Sequence, residues 1–294
     1  GNFLIRRKKL RNVPVRKNFQ ERNVRVQVKK NKSKDEKLKK KMGCDEIYNE
    51  WEKTCDEIVS TENKNWKQHP HVFNMLEHVP HWIGKQYLEN LVNKEKIDIN
   101  LVQEISNLND TDGSNIVEYE FENQKIKISP TTLRYLSHSI DIIQLLKKNN
   151  VSIISIVEIG AGYGGLALVL NYLMCKQKYS LKVKKYYIYD LPSVQNLQKY
   201  YLGRHDFLTG VVEWKDCFSY GTDLKDENIF LISNYSLSEM KLEYRKKYLY
   251  NILPNIMGSY MVWNSTNMEG LPYKRIEKEE DPKTGDNNKV VIII

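Results

Sequence analysis

The stretch Val157 to Leu166, VEIGAGYGGL, constrains this chain more than any other, because it sets a glycine-rich turn between an apolar strand and the start of a helix. The run Val151 to Ile159 is β-branched and apolar, as a strand buried on both faces is, and Leu166 to Tyr172 continues with helical apolar spacing. Gly160, Gly162 and Gly164 lie between them. A turn of this kind lets the backbone approach a ligand closely, and the following helix offers unpaired N–H groups. The pattern predicts a nucleotide-binding turn in an α/β fold.

Two cofactor classes fit the spacing, since Gly160, Gly162 and Gly165 also satisfy the dinucleotide fingerprint. Glu158, two residues before the first glycine, separates them: its carboxylate accepts a hydrogen bond from an ammonium group and repels a pyrophosphate. The next strand, Val183 to Tyr189, ends in Asp190-Leu191-Pro192, where a carboxylate is placed to bridge two ribose hydroxyls. Asp190 falls 30 residues after Gly160, later than the roughly 20 of a dinucleotide site. An adenosyl ligand with a methionine tail suits both acids, and an NAD-dependent oxidoreductase is disfavoured.

The pattern E-x-G-x-G-x-G, followed by a strand ending in an acid, resembles the first two motifs of class I S-adenosylmethionine-dependent methyltransferases. VEIGAGYGGLA, YDLPSVQNLQKYYL and ISNYSLSEM, in this order, are similar to the sugar O-methyltransferase family, which carries DLP after the second strand and SNY-x-x-SE after the fourth. The resemblance covers about residues 125 to 265, and more loosely His69 to Leu91. It does not extend to residues 1–41. It implies S-adenosylmethionine as cofactor, held by Glu158, Gly160, Ala161, Gly162, Tyr163, Gly164, Asp190 and Leu191, with Asp216 and Cys217 beside the adenine and Asn234 after the fourth strand.

Charge divides the chain in two. Residues 1–41 carry 17 Lys plus Arg and 3 Asp plus Glu, a net of +14, while the remainder is at −5 within the overall +9. The arm is read as a solvated linker, with binding to nucleic acid or an anionic membrane surface as the alternatives. Asn23 to Val28, NVRVQV, alternates like a short strand. The expected organisation is a basic arm 1–41, a helical N-terminal cap 42–150 and an S-adenosylmethionine-binding catalytic domain 151–294. No apolar run of about 18 residues predicts a membrane span, and no signal peptide is apparent. Cys44, Cys55, Cys175 and Cys217 show no ligand spacing and read as free thiols of a cytoplasmic protein. A first residue other than Met suggests a piece of a larger multidomain polypeptide.

The segment between arm and glycine turn reads as helical. Cys44 to Thr61 carries Ile47, Trp51, Cys55 and Ile58 at helical spacing. His69, His71, His78 and His81 invite a metal reading, but they lack a ligand signature, so a packing or substrate-cap role is expected and no metal is predicted. Ser129 to Lys148 is a capped helix whose Arg134 and His138, four apart, share a face. By analogy with class I enzymes, Arg134 pairs with the cofactor carboxylate; a solvated arginine is the alternative.

After Asp190 the elements alternate as in a doubly wound sheet: helix Pro192 to Tyr201, strand Gly210 to Trp214, strand Asn228 to Ser233, helix Lys241 to Leu253 and strand Gly258 to Trp263. Tyr273 to Lys278 and Lys289 to Ile294 read as a closing antiparallel hairpin. The resemblance implies a Rossmann-like class I sheet of order 3-2-1-4-5-7-6, with chemistry at Asn234 to Glu239. Methyl transfer to a hydroxyl needs a proton acceptor. Glu239 is one candidate and His138 the other, while Tyr235, Ser236 and Ser238 are the expected partners of a polyhydroxylated acceptor. Glu239 as a helix-end acid remains open.

The reading is therefore an S-adenosylmethionine-dependent O-methyltransferase acting on a sugar hydroxyl of a glycan or glycoconjugate. The alternative is a nucleic-acid-directed methyltransferase or an adenosyl-binding module that uses the basic arm. The loop ISNYSLSEM, uncharged except for Glu239, argues against a nucleic-acid acceptor.

Overall fold

A computed structural model of the chain describes residues 46–121, 123–176 and 181–293. The basic arm 1–41, its NVRVQV stretch and Cys44 lie outside the described residues. Glu50–Ile294 forms one compact unit.

Strand β3 (Ile153–Ile159) is buried from its second residue onward, as expected of the apolar run that leads into the glycine turn. It lies inside a seven-stranded sheet with β4 (Lys182–Asp190), β5 (Val212–Asp216), β6 (Ile229–Asn234), β7 (Ile256–Trp263), β8 (Ile276–Glu279) and β9 (Lys289–Ile292). The order β5-β4-β3-β6-β7-β9-β8 is 3-2-1-4-5-7-6 when the sheet strands are counted along the chain. All neighbours are parallel up to β7, and β9 runs antiparallel to both β7 and β8. This is the Rossmann-like class I methyltransferase topology expected from the sequence.

Helices α1 (Glu46–Thr61), α2 (His81–Glu89), α3 (Ile99–Asn109) and α4 (Pro130–Lys148) precede the sheet. Trp51, Cys55 and Ile58 are the buried stripe of α1. In α4, Ser129 Oγ accepts from Thr131 N at 3.2 Å and Pro130 opens the first turn, so both boundary signals act as read. Helices α5 (Gly165–Cys175), α6 (Pro192–Leu202), the short α7 (Ser236–Glu239) and α8 (Leu242–Ile252) follow strands β3, β4 and β6. One apolar core contains side chains from α1 to α6 together with β3, β4 and β7, so the cap and the sheet are packed as one body.

The expectation of helix throughout the cap fails at residues 117–128. There β1 (Val117–Phe121) and β2 (Gln124–Ile128) form an antiparallel hairpin, with Asn123 at φ 63°. Tyr119, Ile126 and Ile128 point inward, whereas Glu118, Lys125 and Lys127 form a surface ion-pair cluster. Five alternating residues per strand hold the hairpin because one face is buried, and Ser106 of α3 donates to Lys127 O at 2.8 Å. No described helix is long and apolar enough to cross a membrane.

Candidate active site

The glycine turn takes its shape from three left-handed residues, Gly160 at φ 73°, Gly162 at 58° and Gly164 at 97°. At Gly160 a side chain is excluded twice over, because a Cβ there would lie 2.1 Å from Ser236 Oγ. Ser236 opens α7, so the loop after β6 sits directly on the turn after β3. Two of the expected site segments, Gly160–Gly164 and Asn234–Glu239, are thereby brought together.

Asp190 brackets the same turn. Its Oδ2 accepts from Ala161 N at 3.0 Å and from Gln198 Nε2 at 2.9 Å, and its Oδ1 accepts from Leu191 N at 2.9 Å. Gln198 also donates to Gly162 O at 2.8 Å, which clamps the turn from beneath. A carboxylate offers about four acceptor sites, so three are spent within the protein. One acceptor position of Asp190 is left unspent by these bonds. Gln198 was missed from the sequence, although a polar residue in the buried stripe Val194, Leu197, Gln198, Tyr201 is itself a signal.

Glu158 is 2% exposed at the end of β3, where its Oε2 accepts from Tyr186 Oη at 2.7 Å. Burial, with the charge of Asp190 nearby, pushes its carboxyl up to about 7, and burial raises Asp190 to about 7 as well. A carboxyl whose folded value exceeds its unfolded value keeps its proton in the folded state over the interval between them. Stability from this group is therefore full below about pH 4.5 and lost as pH rises toward 7. Glu158→Gln should match wild type in unfolding free energy at pH 4 and exceed it by about 3 kcal/mol at pH 8. Urea unfolding at the two pH values measures this, and an equal gap between the two proteins at both would refute it.

Tyr163, the one large side chain within the turn, points into the cap. It is fully buried, and its hydroxyl donates to Glu77 Oε1 at 2.7 Å. The rings of Trp66, Tyr163 and Tyr201 surround Lys67 Nζ at 5.6, 4.7 and 4.9 Å. Burial lowers the lysine and raises Glu77. Only the backbone of Tyr163 is left to line the glycine turn.

Arg134 is 7% exposed on α4, and Nη2 donates to Leu76 O at 3.2 Å. Leu76 in turn packs its side chain against Gly162. The rings of Tyr135 and Tyr235 stand 5.8 and 5.7 Å from the guanidinium carbon. Among the described residues no carboxylate forms an ion pair with Arg134. A buried cation with one carbonyl partner is costly unless an anion joins it.

His138 lies one helical turn further on, 2% exposed. The backbone N–H of Val262 donates to Asn234 Oδ1 at 3.3 Å, which turns Asn234 Nδ2 toward His138 Nδ1 at 3.1 Å. Nδ1 must accept, so the ring proton sits on Nε2. Burial pulls the imidazole down to about 4, which keeps it neutral near pH 7. This geometry gives His138 a donor's role and not that of the proton acceptor named above. It also spends the Asn234 side chain, expected at the cofactor, on orienting the ring.

The remaining expected residues divide by exposure. Tyr235 has φ 69° and ψ −33°, a strained conformation for a bulky residue. Its hydroxyl donates to Glu280 Oε1 at 2.8 Å. Glu280, absent from the sequence reading, is buried and accepts from Thr284 N, Thr284 Oγ1 and Asn288 Nδ2 as well. Although burial alone would raise its carboxyl, these donors hold it below the ordinary value. Ser238 is buried, with its hydroxyl 2.6 Å from both Tyr235 O and Asn264 Oδ1, and so braces the loop instead of facing an acceptor. Glu239 is exposed and accepts from Asn264 Nδ2 at 2.6 Å. It precedes the Lys241 cap of α8, outside that helix. Asp216 accepts from Phe218 N at 2.9 Å, capping a helical turn. Cys217 is buried, and burial raises its thiol.

Among the cap histidines His69 stacks on His71 and His81 on Tyr119, with His71, His78 and His81 exposed. Among the described residues no three His, Cys, Asp or Glu side chains are grouped to hold a metal ion.

No family model and no curated protein matches the sequence. Solved structures of low identity are similar to it. An rRNA methylase from Streptococcus thermophilus gives a TM-score of 0.39 at 14% identity, over 52% of this chain and 92% of that one. TrmK of M. capricolum, in complex with the cofactor product S-adenosyl-homocysteine, gives 0.35 at 16% identity over 51% and 66%. An O-methyltransferase family protein from Burkholderia thailandensis gives 0.34 at 12% over 55% and 59%. At these scores the substrates of those proteins say nothing about the acceptor of this one.

Proposed function

We propose that the chain is an S-adenosylmethionine-dependent O-methyltransferase acting on a sugar hydroxyl of a glycan or glycoconjugate, with residues 151–294 catalytic and 42–150 as the cap. The observation that carries the cofactor reading is Arg134, a buried guanidinium in direct ion pair with no carboxylate of the described residues, next to the Leu76 segment that packs on the glycine turn. It would hold the methionine carboxylate. Glu158 would face the ammonium group, Asp190 one ribose hydroxyl, and Asp216 and Cys217 the adenine. S-adenosylmethionine, when bound, supplies the methyl group as a sulfonium substituent.

The chain's own residues have then to orient the acceptor hydroxyl and take its proton. Glu280 is poorly suited, because four donors stabilise its charge. His138 already carries its proton at Nε2. Glu239, the carboxylate of the loop after β6, is the proposed acceptor of the proton, with Tyr235 and Ser236 beside the substrate. Arg245, which touches this loop, is not available to a nucleic-acid backbone: it is buried and donates to the carbonyls of Leu237, Ser238, Met240 and Asn267.

Calorimetry tests the cofactor reading. S-adenosylmethionine and S-adenosylhomocysteine should bind and NAD should not. Heat with NAD alone would sink the proposal.

A further inference from the structure

Four buried side-chain atoms have no hydrogen-bond partner among the described residues, and two of them, Tyr87 Oη and His138 Nε2, belong to neighbouring rings. The ring centroids are 6.3 Å apart and the planes cross at 84°. Tyr87 comes from α2 and is fully buried, whereas His138 comes from α4. The Asn234 amide has fixed the imidazole as a donor at Nε2. A phenol also donates. Leaving two such groups unpaired in an apolar setting costs about 1 to 3 kcal/mol each, a cost that a ligand oxygen removes.

The charge of that oxygen follows from what surrounds the pair. Arg134 lies one helical turn before His138, and its ring neighbour Tyr235 is hydrogen-bonded to Glu280. The guanidinium and the Glu280 carboxylate both act on Tyr87 and on His138, with opposite sign. One cation and the Glu280 carboxylate are thus already present, with a second acid, Asp141, also acting on Tyr87, and the cation is the proposed partner of the cofactor carboxylate. A further anion from the acceptor, whether a phosphodiester or a uronate, would be buried without a counter-charge. An uncharged oxygen carries no such cost and still satisfies both donors.

We propose that Tyr87 and His138 form the acceptor-holding pair of this site, binding an uncharged oxygen of the acceptor, such as a sugar hydroxyl adjoining the one that is methylated. This rests on the methyltransferase reading above and extends it by naming the residues and the neutral class of acceptor. Both residues are positioning groups here, since the proton is taken elsewhere.

The test is nitrogen-15 NMR of the histidine-labelled full chain with S-adenosylhomocysteine. It is titrated with neutral methyl glycosides (glucoside, galactoside, mannoside, xyloside), with a methyl glucuronoside and with adenosine monophosphate. The His138 ring should carry its proton on Nε2 in the free protein, and at least one neutral glycoside should shift that resonance saturably. Tyr87→Phe and His138→Gln should each weaken that glycoside about tenfold, the worth of one hydrogen bond, without altering affinity for S-adenosylhomocysteine. An unprotonated Nε2 in wild type, which requires no variant, overturns the proposal. So does a shift caused only by the glucuronoside or the nucleotide, the absence of any glycoside shift, or unchanged glycoside affinity in both variants. If S-adenosylhomocysteine fails to bind while a glycoside still shifts Nε2, the cofactor reading falls and the donor pair stands.

Discussion

Glu239→Gln is expected to bind S-adenosylhomocysteine like wild type and to lose methyl transfer by about 10² to 10⁴, the usual contribution of a general base. The substitution is nearly isosteric. A glutamine Oε1 still accepts from Asn264 Nδ2, the contact that now holds the carboxylate, so the loop has no reason to move. What is lost is the ability to take a proton. His138→Gln is the matched variant and should act on KM far more than on kcat, because Nε2 is a donor in the folded protein. Rates with labelled S-adenosylmethionine and a glycoside panel decide between them. Turnover retained in the Glu239 variant and abolished in the His138 variant would reverse the two roles, and it would require Asn234 to present its oxygen to the ring.

Arg134→Met should weaken S-adenosylhomocysteine by about 10² to 10³, since removing one partner of a buried charge pair costs about 3 to 5 kcal/mol. Methionine fills much of the same volume between Tyr135 and Tyr235 without the charge. Adenosine provides the internal control, as it has no methionine carboxylate, and its affinity should be the same in both proteins. Equal losses for adenosine and S-adenosylhomocysteine would mean that Arg134 supports the cap through Leu76 O and not the ligand. Calorimetry of both ligands on both proteins separates the outcomes.

Most of the sheet was legible because its signals are local. The apolar run before Gly160, the acid at the end of β4 and the turn-rich DPKTGDNN between the last two strands each name an element without reference to any other. The short hairpin β1–β2 was not, since five alternating residues carry little periodic signal until a partner face buries them. In the site, glycines were readable because the left-handed backbone at residues 160, 162 and 164 is a property of each residue. Roles that depend on distant partners were not. The proton position on His138 is set by Val262, 124 positions further along the chain, acting through Asn234. Glu280 gains its place by hydrogen-bonding Tyr235, and Ser238 loses a substrate role by meeting Asn264. Tyr87 carries no sequence cue, because an orphaned hydroxyl exists only in three dimensions.

The lysine enclosed by Trp66, Tyr163 and Tyr201 has a consequence for how the molecule breathes. Tyr163 is at once a member of the glycine turn and a wall of that enclosure, tied to the cap by its bond to Glu77. Separating cap from turn would expose a buried lysine, a buried glutamate and three large rings together, so the two do not open independently. Residues 66–77 and Gly160–Gly164 are one cooperative unit. Any molecule that binds the turn adds its binding free energy to the cap by mass action, and any damage to the cap is felt as weakened binding at the turn, with no contact between cap and ligand needed.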